Sequence, residues 1–259
     1  MIIHRRIVLA APLLAAPLLA VAAGHTPLAA TPLSRADVRW WAERHAAKLR
    51  ELRAAPVDLL WIGDSITHNW ERSGPPAEDF APVWQRFYGG RHAVNLGFKG
   101  DATAHLLWRL RNGEIDGITP KATVLLIGAN NFGRLRWSAE DSLAGHDACV
   151  AELRRRLPAT KLLVLSVLPS DRGTWTTQAT RAMNHGLAQR YAGGKVPGIS
   201  YVDATSLFER NGTIDLAQYY DPRLRPPEPA IHPTATAQSR LAALIEPQLA
   251  AVLGDRPRV

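Results

Sequence analysis

Short apolar runs alternate with longer amphipathic stretches along the chain. The runs at 57–62, 93–96, 122–127, 161–168 and 199–202 are rich in Val, Ile or Leu. That is the pattern of strands covered on both faces. Between and around them, 34–53, 80–88, 103–111, 139–157, 176–191 and 234–253 have the apolar spacing of helices. This βαβ alternation predicts a parallel sheet with helices on both sides. No internal repeat and no long flexible linker divides the sequence after its N-terminal stretch.

In an open parallel sheet, ligands bind beyond the carboxyl ends of the strands. The segments there read Gly63-Asp64-Ser65, Gly97-Phe98-Lys99-Gly100-Asp101, Gly128-Ala129-Asn130-Asn131 and Pro169-Ser170-Asp171-Arg172-Gly173. Each alone is an ordinary turn sequence. Their shared position makes them the candidate site. Ser65 has two readings at this point: a polar residue opening a helix, or a nucleophile at the end of a strand.

Composition adds bounds. With 259 residues, 46% of them hydrophobic, the chain can bury a sizeable core. Residues 1–6 are basic, 7–23 are apolar and uncharged, and small residues follow. This predicts a secretory signal over 1–30, cleaved somewhere in 23–31, before a single domain at 31–259. The expected location is the periplasm or the exterior, with no stable membrane span after cleavage. A retained anchor is the alternative, although Pro12 and Pro17 interrupt a stretch near the lower limit for spanning. Cys149 is the only cysteine, which excludes an intramolecular disulfide and a cysteine-rich zinc site. The net charge of +8 is dispersed and forms no dense basic tract, so no nucleic-acid partner is expected. No metal cluster stands out, and neither metal nor cofactor is expected. Oligomeric state is not readable from the sequence.

A nucleophilic Ser65 needs a base within hydrogen-bond reach and donors aimed at a developing oxyanion. Its own N–H, at a helix start, is one candidate donor. Gly100, without a side chain, lets a backbone N–H approach a substrate. Asn130 offers a side-chain amide. Asp101 is expected to cap the helix starting near Thr103, a structural role. Among the histidines, His45, His146 and His185 fall inside helices, and His68 and His105 sit one turn beyond the site segments. His232 lies in a Pro-rich loop just before the last helix. It reads either as a base held over the sheet edge or as an exposed loop residue.

Gly63-Asp64-Ser65-Ile66 resembles the first sequence block of the SGNH (GDSL-type) hydrolases. Residues 95–101, residues 128–131 and Ile231-His232-Pro233 resemble their second, third and last blocks, in family order. Residues 95–131, NLGFKGDATAHLLWRLRNGEIDGITPKATVLLIGANN, and 164–173, VLSVLPSDRG, are similar to the platelet-activating-factor acetylhydrolase catalytic-subunit branch. The resemblance implies a flavodoxin-like three-layer α/β/α sandwich with five parallel strands. It implies Ser65 as nucleophile, His232 as base, and an oxyanion hole from Ser65, Gly100 and Asn130. It departs at Pro229, where the family places an aspartate that orients the imidazole. Glu228 is the candidate replacement; a backbone carbonyl supporting a Ser–His dyad and a weak or inactive relative stay open. The expected function is an exported serine esterase for short acyl, especially acetyl, esters. Its substrate would be a small acyl ester, on an acetylated polysaccharide or a lipid. A non-catalytic glycan- or lipid-binding relative and an acyl transferase on envelope glycans are the alternatives. Trp137 and Trp175, in loops that follow strands, are candidate substrate-stacking residues or ordinary packing.

Overall fold

The computed structural model describes residues 26–74, 78–219 and 230–258. Its centre is a parallel sheet of β1 (Leu59–Gly63), β2 (Ala93–Gly97), β3 (Ala122–Leu126), β4 (Lys161–Leu165) and β5 (Ile199–Val202). The strand order is β2-β1-β3-β4-β5. Each strand coincides with one of the apolar runs. The side chains divide as a strand's period of two requires: Leu60 and Ile62 enter one core, Leu59 and Trp61 the other.

The first core is closed by α1 (Arg39–Ala54), α4 (Thr103–Arg109), α6 (Ala139–Arg156) and α7 (Thr174–Tyr191). The second is closed by α3 (Ala81–Tyr88) and α8 (Ala235–Leu253). Two short helices, α2 (Ser65–His68) and α5 (Ala129–Gly133), follow β1 and β3 directly. The result is a three-layer α/β/α sandwich whose strand order is that of flavodoxin-like folds. The reversal of strand order falls between β1 and β3, so α2 and α5 both begin at the switch point.

Three boundaries differ from the sequence pattern. The apolar run of β4 continues to Leu168, but the strand stops at Leu165. The Asn184 side chain of α7 takes over there, accepting from the Val167 N–H and donating to its carbonyl, both at 2.8 Å. Helix α1 begins at Arg39, not Ser34, because a local turn precedes it: Ser34 Oγ accepts from the Ala36 N–H and the Arg35 carbonyl from the Val38 N–H. Helix α4 ends at Arg109 in a wider turn, Leu110–Glu114, closed by Gly113 at φ +106°. A short hairpin, β6 (Glu209–Arg210) and β7 (Thr213–Ile214), was not legible in the pattern.

At the N-terminal end, Ala29 is buried and its carbonyl accepts from the Thr103 hydroxyl at 2.8 Å. Leu33 N–H bonds to the Ala104 carbonyl. This segment is therefore packed against α4. The apolar stretch 7–23 of the expected signal lies outside the described residues, as do Glu228 and Pro229. Among the described residues no helix is long and apolar enough to cross a membrane.

Candidate active site

Gly63 ends β1 in register with Gly97 of β2 and Leu126 of β3. A methyl group on Gly63 would lie 2.3 Å from the Leu126 carbonyl oxygen and 2.3 Å from Thr67 Oγ1. Only glycine lets α2 fold back this tightly on the strand ends. Asp64 then caps α2, accepting from the Ile66 N–H at 3.0 Å. Its carboxyl is fully buried; desolvation pushes it up to about 7, against the pull of that N–H and of the Arg172 cation. The turn delivers Ser65 to the carboxyl edge of the sheet.

His232 Nε2 lies 3.0 Å from Ser65 Oγ, across 167 residues of chain. Its loop is held on several sides. Thr234 N–H donates to the Gln218 carbonyl at 2.8 Å, and the Thr234 hydroxyl caps α8 through Ala237 N–H at 3.1 Å. The Glu78 carboxylate accepts from Ala235 N–H. Gln238 of α8 donates to the Ile66 carbonyl at 3.0 Å, which ties the histidine's helix to the serine's helix. Asp171 N–H, in the loop after β4, bonds to the Ala230 carbonyl at 2.8 Å.

The other candidate residues border the same edge. Gly100 sits at φ +79°, a left-handed conformation that favours glycine. Asn130 opens α5 and is buried; its amide donates one N–H to the Asp101 carbonyl at 2.9 Å, leaving the second N–H. The neighbouring Asn131 points the other way. It accepts from Thr103 N–H and donates to the Thr103 hydroxyl, stapling α5 to α4. Neither the Ser65 nor the Gly100 N–H has an acceptor among the described residues. A serine hydroxyl within hydrogen-bond distance of an imidazole is an arrangement able to attack a carbonyl.

Asp101 does not cap α4. Ala102 occupies the N-cap, and its N–H bonds to His105 Nδ1 at 2.9 Å. The Asp101 carboxylate is fully buried and takes three donors instead: Arg35 Nη1 at 2.7 Å, Trp41 Nε1 at 2.8 Å and Arg109 Nε at 2.8 Å. A buried carboxylate needs such partners more than a helix end needs a cap. Arg109, also fully buried, donates to the Gly63 carbonyl at 3.2 Å and pairs with Glu114. Its guanidinium covers the Phe98 ring at 4.1 Å. Burial pushes the Glu114 carboxyl up to about 7, although Arg109 opposes this. His45, 4.0 Å from Glu114, is lowered to about 4 by burial and then by the Arg109 charge. The sequence reading missed Arg109 and Glu114. The available signal was a charged residue beside Leu106, Leu107 and Leu110 on an otherwise apolar face.

His68 and His105 act on the β2 loop, accepting from the Lys99 and Ala102 N–H groups. Trp175 is exposed at the start of α7, edge-on to Phe132, with the Arg136 guanidinium 4.1 Å over its ring. Trp137 is half-buried, and its backbone N–H bonds to the Asn131 carbonyl at 2.9 Å. Arg172 donates to the Ala129 carbonyl at 2.7 Å and to the Ser170 hydroxyl at 3.1 Å, bracing α5 from the β4 loop. Among the described residues no group of three or more His, Cys, Asp or Glu is placed to hold a metal ion.

Residues 61–240 match the model of the GDSL-like lipase/acylhydrolase family. The platelet-activating factor acetylhydrolase IB subunit alpha2 of Gallus gallus is 29% identical over 203 residues, covering 76% of this chain and 83% of that protein. A GDSL-like lipase from Bacteroides thetaiotaomicron superposes with a TM-score of 0.63 at 18% identity, covering 81% of this chain and 97% of that one. A carbohydrate acetylesterase from Sinorhizobium meliloti superposes with a TM-score of 0.54 at 18% identity, covering 76% and 99%. The two superpositions speak to the fold. The match of the family model across most of the chain speaks to descent, and the chain belongs to the GDSL-like lipase/acylhydrolase family of carboxylic ester hydrolases.

Proposed function

We propose that the protein is an exported serine esterase that removes short acyl groups, chiefly acetyl, from hydroxyl-bearing carriers. The observation that carries this reading is the 3.0 Å approach of His232 Nε2 to Ser65 Oγ. Ser65 Oγ attacks the ester carbonyl while His232 takes its proton. The oxyanion of the tetrahedral intermediate is met by the Ser65 and Gly100 N–H groups and the second Asn130 N–H. Collapse expels the alcohol, which receives the proton from His232. Water, activated by the same imidazole, then releases the acid and restores Ser65. Glu228 is the candidate that orients the imidazole, and Trp137 and Trp175 are candidates for the wall facing the carrier.

The preference for acetyl rests on similarity to an acetylhydrolase subunit in sequence and to a carbohydrate acetylesterase in fold. Export rests on the apolar stretch 7–23 behind Arg5 and Arg6. Because the segment around Leu28–Ala30 packs into the fold, cleavage before Pro27 is the position that leaves these contacts intact. A series of 4-nitrophenyl esters from acetyl to decanoyl tests the acyl preference. The expected outcome is a kcat/KM that falls as the chain lengthens. Faster cleavage of decanoyl than acetyl would overturn the short-chain reading in favour of a lipase-like pocket.

A further inference from the structure

Three segments carry the groups assigned above to the oxyanion hole: the end of β1, the β2 loop and the start of α5. They are separate in sequence, and one buried cation lies beneath them. Arg109 donates through Nη2 to the carbonyl of Gly63, two residues before Ser65. Through Nε it holds the carboxylate of Asp101, the residue after Gly100. The backbone carbonyl of that same Asp101 fixes the Asn130 amide. A single guanidinium is therefore hydrogen-bonded to the residue two before the serine and to the residue after the glycine, and the second of these holds the asparagine.

We propose that Arg109, acting through Asp101, is the positioning residue of the oxyanion hole. This rests on the esterase reading of the same site. Oxyanion donors work only when held about 2.7–3.1 Å from where the charge develops. The Gly100 loop has no side chain of its own at the critical residue and sits in a left-handed conformation. Its orientation must come from neighbours. Asp101 supplies it because its carboxylate is held through both oxygens: Arg35 and Trp41 hold Oδ1, and Arg109 holds Oδ2. Glu114 balances the cation from the far side and Phe98 packs on its face, so the guanidinium has one available orientation. The planar fork matters, since three acceptors at separate places must be met at once. A lysine ammonium would keep the charge and lose this geometry.

The test is Arg109→Lys, alone and combined with Asn130→Ala, assayed on 4-nitrophenyl acetate. Circular dichroism and the melting temperature establish the folded fraction. For Arg109→Lys, kcat is expected to fall about a hundredfold with KM nearly unchanged, the scale of a misplaced donor set. The Ki of an alkyl trifluoromethyl ketone, which forms a tetrahedral oxyanion adduct with a serine, should rise by the same factor as kcat/KM falls. In the double variant the two losses should overlap and not multiply, because both act on one donor set. Equal kcat in folded Arg109→Lys, or losses that multiply independently, would overturn the proposal. If Arg109→Lys does not fold, Asp101→Asn takes its place with the same expectations. Failure of both to fold would assign the network to fold maintenance and reject the positioning role. Absence of turnover by the wild-type protein would instead count against the esterase reading itself.

Discussion

Ser65→Ala is expected to lower ester turnover by on the order of 10⁴-fold or more while leaving the fold intact. The first half follows from the chemistry: the hydroxyl is the atom that forms the acyl-enzyme, and the remaining donors can only polarise a carbonyl for attack by water. The second half follows from the packing. Among the described residues the Ser65 Oγ hydrogen bond is to His232, and the turn is set by Asp64, Gly63 and Gln238. Losing one such hydrogen bond costs about 0.5–1.5 kcal/mol. Steady-state hydrolysis and a urea melt of the same preparation check both halves. Unchanged turnover would remove Ser65 from the mechanism, and a collapsed melt would leave its role in chemistry undemonstrated.

Gly97→Ala is expected to produce the largest loss of stability, on the order of 3 kcal/mol, together with loss of activity. A methyl there would lie 2.1 Å from His68 N and 2.5 Å from the Thr67 carbonyl carbon. Both are backbone atoms of α2, so no side-chain rotation relieves the overlap. Either β2 withdraws from β1 or α2 lifts, and α2 carries Ser65. The β2 loop moves with the strand, because the Gly97 N–H is fixed by Asn95 Oδ1 and Phe98 N–H by the Gly63 carbonyl. Urea denaturation measures the stability term, and kcat for 4-nitrophenyl acetate measures the displacement of the serine. A melt like that of the wild type would show that the strand ends are looser than the packing implies.

Why some of this was readable from sequence and some was not follows from the range of the interactions. The five strands and six long helices were visible because burial on both faces and on one face leave different local periodicities. Ser65, Gly100 and Asn130 stand out as candidates because each follows a strand, where a parallel sheet puts its site. Only the likeness of four ordered blocks to a known family singled out His232, since its partner lies 167 residues away. Asp101 was misread because its local setting, two residues before Thr103, is that of a cap. Its true partners, Arg35, Trp41 and Arg109, come from α4 and from the segment leading into and through α1. Arg109 and Glu114, although flanked by apolar residues, are not legible as a buried pair for the same reason. Charges in an amphipathic stretch read as a solvent face until the fold shows them paired in the interior. The overrun of β4 is a smaller case: Asn184 replaces a ladder partner, and nothing near Val167 announces it.

The most direct test of the central claim is covalent. An alkyl fluorophosphonate reacts with an activated serine, forming an O–P bond as fluoride leaves, and the adduct survives proteolysis. Peptide mass spectrometry of the labelled protein should find one phosphonylated peptide, the one containing Ser65. Labelling should disappear in His232→Ala, where nothing takes the serine proton. An adduct on another serine, or an unlabelled Ser65 in protein that still hydrolyses 4-nitrophenyl acetate, would contradict the account.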